Sequence, residues 1–115
     1  MTHATGTAEI LGELRKEIAH LRPRLAEIAR LIHERPELRF DETYASGMLA
    51  DELDSAGFSV ERGSADLPTA FVADHRNGEG PTIGVFCEYD ALEGLGHGCG
   101  HNLRVATWSR SPDCG

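Results

Sequence analysis

The sequence has little positive charge, few cysteines and no long apolar run. Its 115 residues include 11 lysines and arginines against 19 aspartates and glutamates, a formal net charge of −8. Because a phosphate backbone repels such a chain, we expect no nucleic-acid partner. No apolar run approaches the ~18 residues of a membrane span, and residues 1–8 lack the features of a secretory signal. We therefore expect a cytoplasmic protein without a membrane partner.

Cysteine is both sparse and odd in number. The three cysteines are Cys87, Cys99 and Cys114, whereas a small disulfide-stabilised domain usually carries a denser, even set. We interpret them as thiols, which leaves metal ligation and nucleophilic chemistry open. Cys87 alternates with apolar positions and is expected to fill the core, and Cys114 belongs to the C-terminal tail.

The remaining composition is that of an ordinary folded chain. Hydrophobic residues make up 40% of it and its mean hydropathy is −0.32, so wholesale disorder is not expected. A chain of this length forms one domain at most.

The apolar residues predict a long amphipathic helix over residues 8–34. They recur at steps of three and four positions: Ile10, Leu14, Ile18, Leu21, Leu25, Ile28 and Ile32. Pro23 lacks a backbone donor, so we expect two helical pieces that meet near Arg22. Pro36 is expected to close the segment.

A second helix is predicted after this proline. Asp41 is its expected N-cap and Gly57 its expected C′ residue. Gly47, inside this helix, is expected to make room for a close packing partner.

From Phe58 onward the pattern changes to period two. Strands are predicted at Phe58–Val60, Ala70–His75 and Thr82–Cys87, with a turn cluster at residues 77–81. The third segment is almost continuously apolar, which is typical of a strand buried on both faces. The predicted fold class is α/β or α+β, with N-terminal helices followed by strands.

Residues 88–102 concentrate the groups that can do chemistry. This glycine-rich stretch follows the most apolar predicted strand and contains Glu88, Asp90, His97, Cys99 and His101. The Cys-Gly-His triplet places a thiol and an imidazole two residues apart, and both can face one Zn²⁺ or Mn²⁺ ion if the glycine adopts an unusual dihedral. By itself this triplet is a weak signal, and an ordinary loop remains open.

Two other chemistries fit the same stretch less well. The alternating glycines do not complete a G-x-G-x-x-G pattern or a P-loop, which argues against a nucleotide site. A nucleophilic pair of Cys99 with His97 or His101 is conceivable, but neighbouring residues of one loop seldom reach the geometry it needs.

Two motifs together carry a family resemblance. "IHERPELRFDETYASGMLADELDSAGFSVE" followed by "CEYDALEGLGHGCGHNL" resembles the start of the zinc-type amidohydrolases of metallopeptidase family twenty, the aminoacylase-like group. The branch of aminobenzoyl-glutamate hydrolases and related amidohydrolases is the most similar. The resemblance implies a partial catalytic domain of a zinc-peptidase-like fold at residues 1–103, with N-acyl amino acids or small amide-linked dipeptides as substrates.

The resemblance also implies roles for individual residues. Cys99 and His101 correspond to metal ligands, with Zn²⁺ or Mn²⁺ as the cofactor. Asp90 is expected to support the site from behind the metal, and Glu88 and His97 are further possible ligands. Glu93 stands where this branch commonly has a proline, which affects the local turn.

The chain departs from the family pattern after Leu103. Residues 104–115 lack an amphipathic period and are expected to be an aberrant or truncated tail. The adjacent glutamates that supply the family's general base and a ligand, the later histidines and the dimerisation domain are not present, so we expect the chain to be inactive by itself. A non-catalytic metal-binding or partner-binding role and a gene-model truncation remain alternative hypotheses.

Overall fold

The computed structural model describes residues 6–109, which form a mixed α/β structure of three helices and one small antiparallel sheet. The elements in chain order are α1 (Thr7–Glu34), α2 (Thr43–Ser55), β1 (Ser59–Arg62), a short 3₁₀ turn (Ser64–Asp66), β2 (Phe71–Asp74) and α3 (His101–Ser109). In this part of the chain no helix is both long and apolar enough to cross a membrane.

Helix α1 is continuous through Pro23, so the prediction of two helical pieces is wrong. The proline and Ala19, whose carbonyl loses its usual i+4 donor, are both exposed, and water can satisfy the freed carbonyl there. The expected end is confirmed, because the helix stops at Glu34, just before Pro36. Of the long apolar stripe, only the C-terminal part is buried.

The core lies where the three helices meet. It contains Ile28, Ala29 and Ile32 of α1, Ala45 and Leu49 of α2, and Val105 and Ala106 of α3. Two polar contacts hold the helices in place: Arg24 donates to the carboxylate of Glu52 on α2, at 2.7 Å from Nη2, and the buried Asn102 Nδ2 donates to the Ala29 carbonyl at 3.0 Å. The start of α3 is therefore fixed against α1.

Helix α3 was not predicted from residues 104–109, which show no amphipathic period. The structure nevertheless buries Val105 and Ala106 in the core, because contacts with α1 and α2 hold a short helix whose own sequence shows no period. Residues 110–115, the rest of the expected aberrant tail, lie outside the described part, as does Cys114.

The two ends of α2 are capped in different ways. The N-cap is Glu42, one residue after the expected Asp41. The orphan N–H groups instead reach the side chain of Glu37, whose carboxylate accepts from Tyr44 N and Ala45 N at 2.9 Å each.

At the other end of α2, the expected role of Gly57 is confirmed. Its φ of 98° lies in the region that favours glycine. Its N–H bonds to Asp54 O, and the N–H of Phe58 bonds to Leu53 O, both at 3.0 Å. This pair of bonds is a Schellman motif.

The first two predicted strands are confirmed as a hairpin. Strands β1 and β2 pair antiparallel, with Ser59 opposite Asp74 and Arg62 opposite Phe71. The hairpin packs on α2, and the Phe71 ring at the start of β2 stacks on Tyr89.

The predicted third strand, Thr82–Cys87, is wrong. The segment is irregular, and its Ile83 and Phe86 side chains are 78% and 97% exposed. A strand needs a partner for its backbone hydrogen bonds, and within residues 6–109 the only sheet is the β1–β2 pair. Cys87 alone behaves as expected, since it is half-buried against the core.

Gly47 does not make room for a neighbour, contrary to expectation, because a Cβ at this position would meet nothing within 4 Å. We expect Gly47→Ala to raise the free energy of unfolding by about 0.5–1 kcal/mol, since it lowers the entropy of the unfolded chain. Gly57→Ala is the matched contrast and should lower it by about 1–2 kcal/mol. Urea unfolding followed by circular dichroism measures both; a destabilised Gly47→Ala would contradict the account.

The Glu37 cap gives a second prediction. Glu37→Ala removes the acceptor of two backbone N–H groups and should cost about 1–2 kcal/mol of unfolding free energy. Glu34→Ala serves as control, because Glu34 makes only an exposed i,i+4 ion pair with Arg30, worth about 0.3–0.5 kcal/mol. Equal losses in the two variants would show that Glu37 is not a cap.

Candidate metal centre

Three side chains that can ligate a metal converge at the start of α3. One donor atom from each of Glu88, Asp90 and His101 lies within 4.8 Å of the other two. His101 Nε2 is 3.1 Å from Glu88 Oε2, and His101 Nδ1 is 3.1 Å from Asp90 Oδ1. The structure thus brings together three of the five residues that the sequence singled out.

The two carboxylates come from an irregular segment that is anchored between them. Tyr89, at the middle position, donates its hydroxyl hydrogen to the Thr69 carbonyl, and its ring stacks on Phe71 of β2 at 6.1 Å. The next residue, Ala91, is buried and donates its N–H to the Glu37 carbonyl at 2.7 Å. The segment is therefore held on both sides of Asp90.

His101 is oriented by two oxygens of Asp90, one from its backbone and one from its side chain. Its Nδ1 lies 3.1 Å from the Asp90 carbonyl oxygen and 3.1 Å from Oδ1. Both neighbours are acceptors, so Nδ1 carries the hydrogen and Nε2 is left facing Glu88. In a neutral ring, the lone pair of Nε2 then points at a carboxylate oxygen of Glu88, which is repulsive. A cation between these two atoms would remove the repulsion.

The donor set fits a borderline divalent metal. An imidazole nitrogen and carboxylate oxygens are ligands that both Zn²⁺ and Mn²⁺ accept. Because Asp90 is engaged at Nδ1, few protein donors remain and coordination positions stay open, which is the pattern of catalytic rather than structural sites. His101 Nε2 and Glu88 could thus hold such an ion, with Asp90 positioning the imidazole through Nδ1.

Cys99, a sequence-predicted ligand, lies outside this cluster. Its side chain is exposed, two residues before His101. The glycine between them has a φ of 81°, the unusual dihedral that the metal interpretation requires. Ligation by Cys99 stays a prediction.

His97 is buried beside the cluster and is not part of it. Neither ring nitrogen has a hydrogen-bond partner within the described chain, and the ring lies 6.4 Å from that of His33. Burial lowers the pKa of His97, and the charges of His33 and His101 lower it further. Burial thus favours the neutral form of this imidazole.

A cavity of about 300 Å³ opens next to the cluster. Glu88 and Asp90 line it together with Arg39, Phe40 and Glu42. Sequence reasoning missed the last three as site residues, because they lie about 50 positions away along the chain and no motif marks them. Burial raises the pKa of the Glu42 carboxyl, and the negative charge of Asp90 raises it further.

Comparisons with known proteins place the chain in a family, although no family model matches it. It is 41% identical over 99 residues to a p-aminobenzoyl-glutamate hydrolase subunit of Escherichia coli, which covers 71% of this chain and 20% of the relative. The match to thermostable carboxypeptidase 2 of Saccharolobus solfataricus is 32% over 113 residues, 85% of this chain and 28% of the relative.

The human Xaa-Arg dipeptidase is 38% identical over 93 residues, 70% of this chain and 21% of the relative. The chain belongs to metallopeptidase family twenty. It spans between a fifth and somewhat over a quarter of the length of these curated relatives. The resemblance noted from the two motifs is thereby confirmed, and the mixed α/β structure is consistent with part of a family-twenty peptidase fold.

The two described cysteines of this family-twenty chain should differ in reactivity. Burial raises the pKa of the Cys87 thiol, whereas Cys99 is exposed. We expect iodoacetamide to alkylate Cys99 several-fold faster than Cys87, because the thiolate is the nucleophile and must be accessible. Peptide mass spectrometry measures each rate, and the urea-unfolded chain, where the rates should converge, is the control. A faster Cys87 in the native chain would contradict this assignment.

Proposed function

We propose that these residues form the part of a metal-dependent amidohydrolase that holds a Zn²⁺ or Mn²⁺ ion, and that the whole protein cleaves N-acyl amino acids or small amide-linked dipeptides. The observation that supports the proposal most is the convergence of Glu88, Asp90 and His101 at 3.1 Å in a chain related to hydrolases and peptidases. The names of these relatives, an aminobenzoyl-glutamate hydrolase and a dipeptidase, suggest the substrate class.

In this proposal each residue has a separate task. His101 Nε2 is a metal ligand. The thiolate of Cys99 and the carboxylate of Glu88 are the other ligands that the protein supplies. Asp90 is a positioning residue, because it holds the hydrogen on Nδ1 and so keeps Nε2 available. When bound, the ion would polarise the amide carbonyl and make water a stronger nucleophile.

The histidine of the cluster is also oriented by its surroundings. His101 is largely buried at the start of a helix whose next residue, Asn102, is bonded to α1. A rigid ligand loses little entropy on binding, which favours a defined ion position. The neighbouring cavity offers a place for an amide substrate beside the same carboxylates.

Calorimetric titration of the chain with Zn²⁺ tests the metal site. We expect weak binding by wild type, at least about tenfold weaker binding by His101→Ala, and a loss of about 10–100-fold for Asp90→Asn. His20→Ala is the matched control, because His20 is an exposed residue of α1 far from the cluster in sequence. Affinity should also fall as the pH is lowered, since protons compete for the donor atoms.

Cys99→Ser separates two forms of the proposal. A weaker isotherm, together with protection of Cys99 from alkylation by added Zn²⁺, supports thiolate ligation. An unchanged isotherm would assign the ion to Glu88 and His101 without the thiol. Identical binding by wild type and His101→Ala would overturn the metal site altogether.

For the 115 residues by themselves we propose metal binding without turnover, since they span so little of the relatives' length. N-acetyl amino acids and aminobenzoyl-glutamate, assayed with Zn²⁺ or Mn²⁺, should show no hydrolysis above background. Hydrolysis that is abolished by a chelator and by His101→Ala would contradict this part of the proposal and strengthen the family assignment.

A further inference from the structure

Helix α3, which begins with the candidate metal ligand His101, is too short to hold that residue in place by itself. It has nine residues, and an isolated helix of fewer than about 12–15 residues is marginal in water. Its position therefore depends on contacts with the rest of the fold. Val105 and Ala106 supply apolar contacts in the core. Apolar contacts are non-directional, so they constrain the rotation of the helix about its axis less than a hydrogen bond does.

A directional contact is made by Asn102, the second residue of α3. Its side chain is 4% exposed, and its Nδ2 donates to the carbonyl of Ala29 on α1 at 3.0 Å, across 73 positions of the chain. A carbonyl inside a helix already accepts the backbone N–H four residues on, and its second lone pair can accept another donor. The amide of Asn102 can therefore bind to α1 without breaking it.

The first turn of α3 points its two polar side chains in different directions. Consecutive residues of an α-helix are about 100° apart around its axis. The amide of Asn102 thus meets α1, while the imidazole of His101 meets Asp90 and Glu88. Because Nδ1 lies 3.1 Å from both Asp90 oxygens, a displacement of ~1 Å would take it out of hydrogen-bond range. A movement that broke the Asn102 bond would therefore also disturb the imidazole.

The contact with Ala29 requires an amide rather than an acid. The carbonyl of Ala29 is an acceptor, so the group that faces it must carry a hydrogen, as the NH₂ of asparagine does. An ionised aspartate of nearly the same shape would set two acceptors against each other in a buried place, which is unfavourable. The Cys-Gly-His-Asn stretch at 99–102 thus contains, next to its candidate ligands, a residue whose chemistry matches α1.

We propose that Asn102 is a positioning residue of the metal site. Its amide fixes the first turn of α3 to Ala29 and so holds His101 with its hydrogen on Nδ1 and with Nε2 directed at the ion. The inference rests on the proposed function for the role of the ion, but the orientation of His101 can be measured without metal. It also gives α1 a part in the site, although α1 supplies none of the clustered donors.

Nitrogen-15 nuclear magnetic resonance of the imidazole tests the orientation in the metal-free chain, at a pH that keeps the ring neutral. We expect the wild type to carry the hydrogen of His101 on Nδ1, because two acceptors face this atom. Asn102→Leu, which has a similar volume and no donor, should give a mixture of both tautomers. A loss of stability does not by itself change the tautomer in molecules that remain folded, so this signature separates positioning from general support.

Calorimetric titration with Zn²⁺ measures the consequence for the ion. Asn102→Leu should bind about tenfold more weakly than wild type. Asn102→Asp, which keeps the shape of the side chain, is the second variant and should lose a similar factor. Leu53→Ala is the control for lost stability, because Leu53 is buried in α2 outside the core cluster that α3 joins. Its tautomer and its Zn²⁺ affinity should match those of the wild type.

The outcomes separate this inference from the proposed function. Mixed tautomers in the Asn102 variants, without Zn²⁺ binding by the wild type, would keep the role of Asn102 in orienting His101 and contradict the metal site. Zn²⁺ binding by the wild type, with an unchanged tautomer and isotherm in both variants, would do the reverse. A wild-type ring with its hydrogen on Nε2 would overturn the inference at once. Loss of folding in both variants, or the same changes in Leu53→Ala, would also overturn it, because Asn102 would then act only through stability.

Discussion

The contacts of Glu37 hold the candidate site to the rest of the fold. Its carboxylate closes the N-terminus of α2 through Tyr44 and Ala45, and its carbonyl accepts the N–H of Ala91. A single residue therefore sets where α2 begins and where the chain lies just after Asp90. This double contact gives a physical reason for the two motifs of the sequence, at residues 32–61 and 87–103, to occur together: a residue of the first motif helps to position the second.

Local pattern was enough to predict the elements that have a neighbour to bury them. The apolar period of α1 and α2, the hairpin strands and Gly57 all follow from rules that act within a few residues. The segment 82–87 shows the limit of such rules. Its apolar run resembles a buried strand, but a strand is completed by its partner, and the described part of the chain supplies none. Pro23 and α3 show the same limit. Solvent around the exposed Pro23 allows α1 to continue, and contacts with the core hold α3.

Only part of the candidate site could be predicted from the sequence, for a related reason. Glu88, Asp90 and His101 fall within one short stretch, so spacing and resemblance could single them out before their contacts were known. Glu42 could not be found in this way, because it reaches the same cavity from about 50 positions away along the chain and no motif marks it. The position of Cys99 also depends on the loop conformation at Gly100, which a two-residue spacing leaves open.

The three carboxylates that line one cavity, Glu42, Glu88 and Asp90, differ in their surroundings. Asp90 is turned toward His101 by the hydrogen on Nδ1, and Glu88 meets the opposite nitrogen of the same ring. Glu42 sits apart from the imidazole, with burial raising the pKa of its carboxyl. A cation held between His101 Nε2 and Glu88 would also weaken the negative field of Asp90, whose charge raises the pKa of the Glu42 carboxyl.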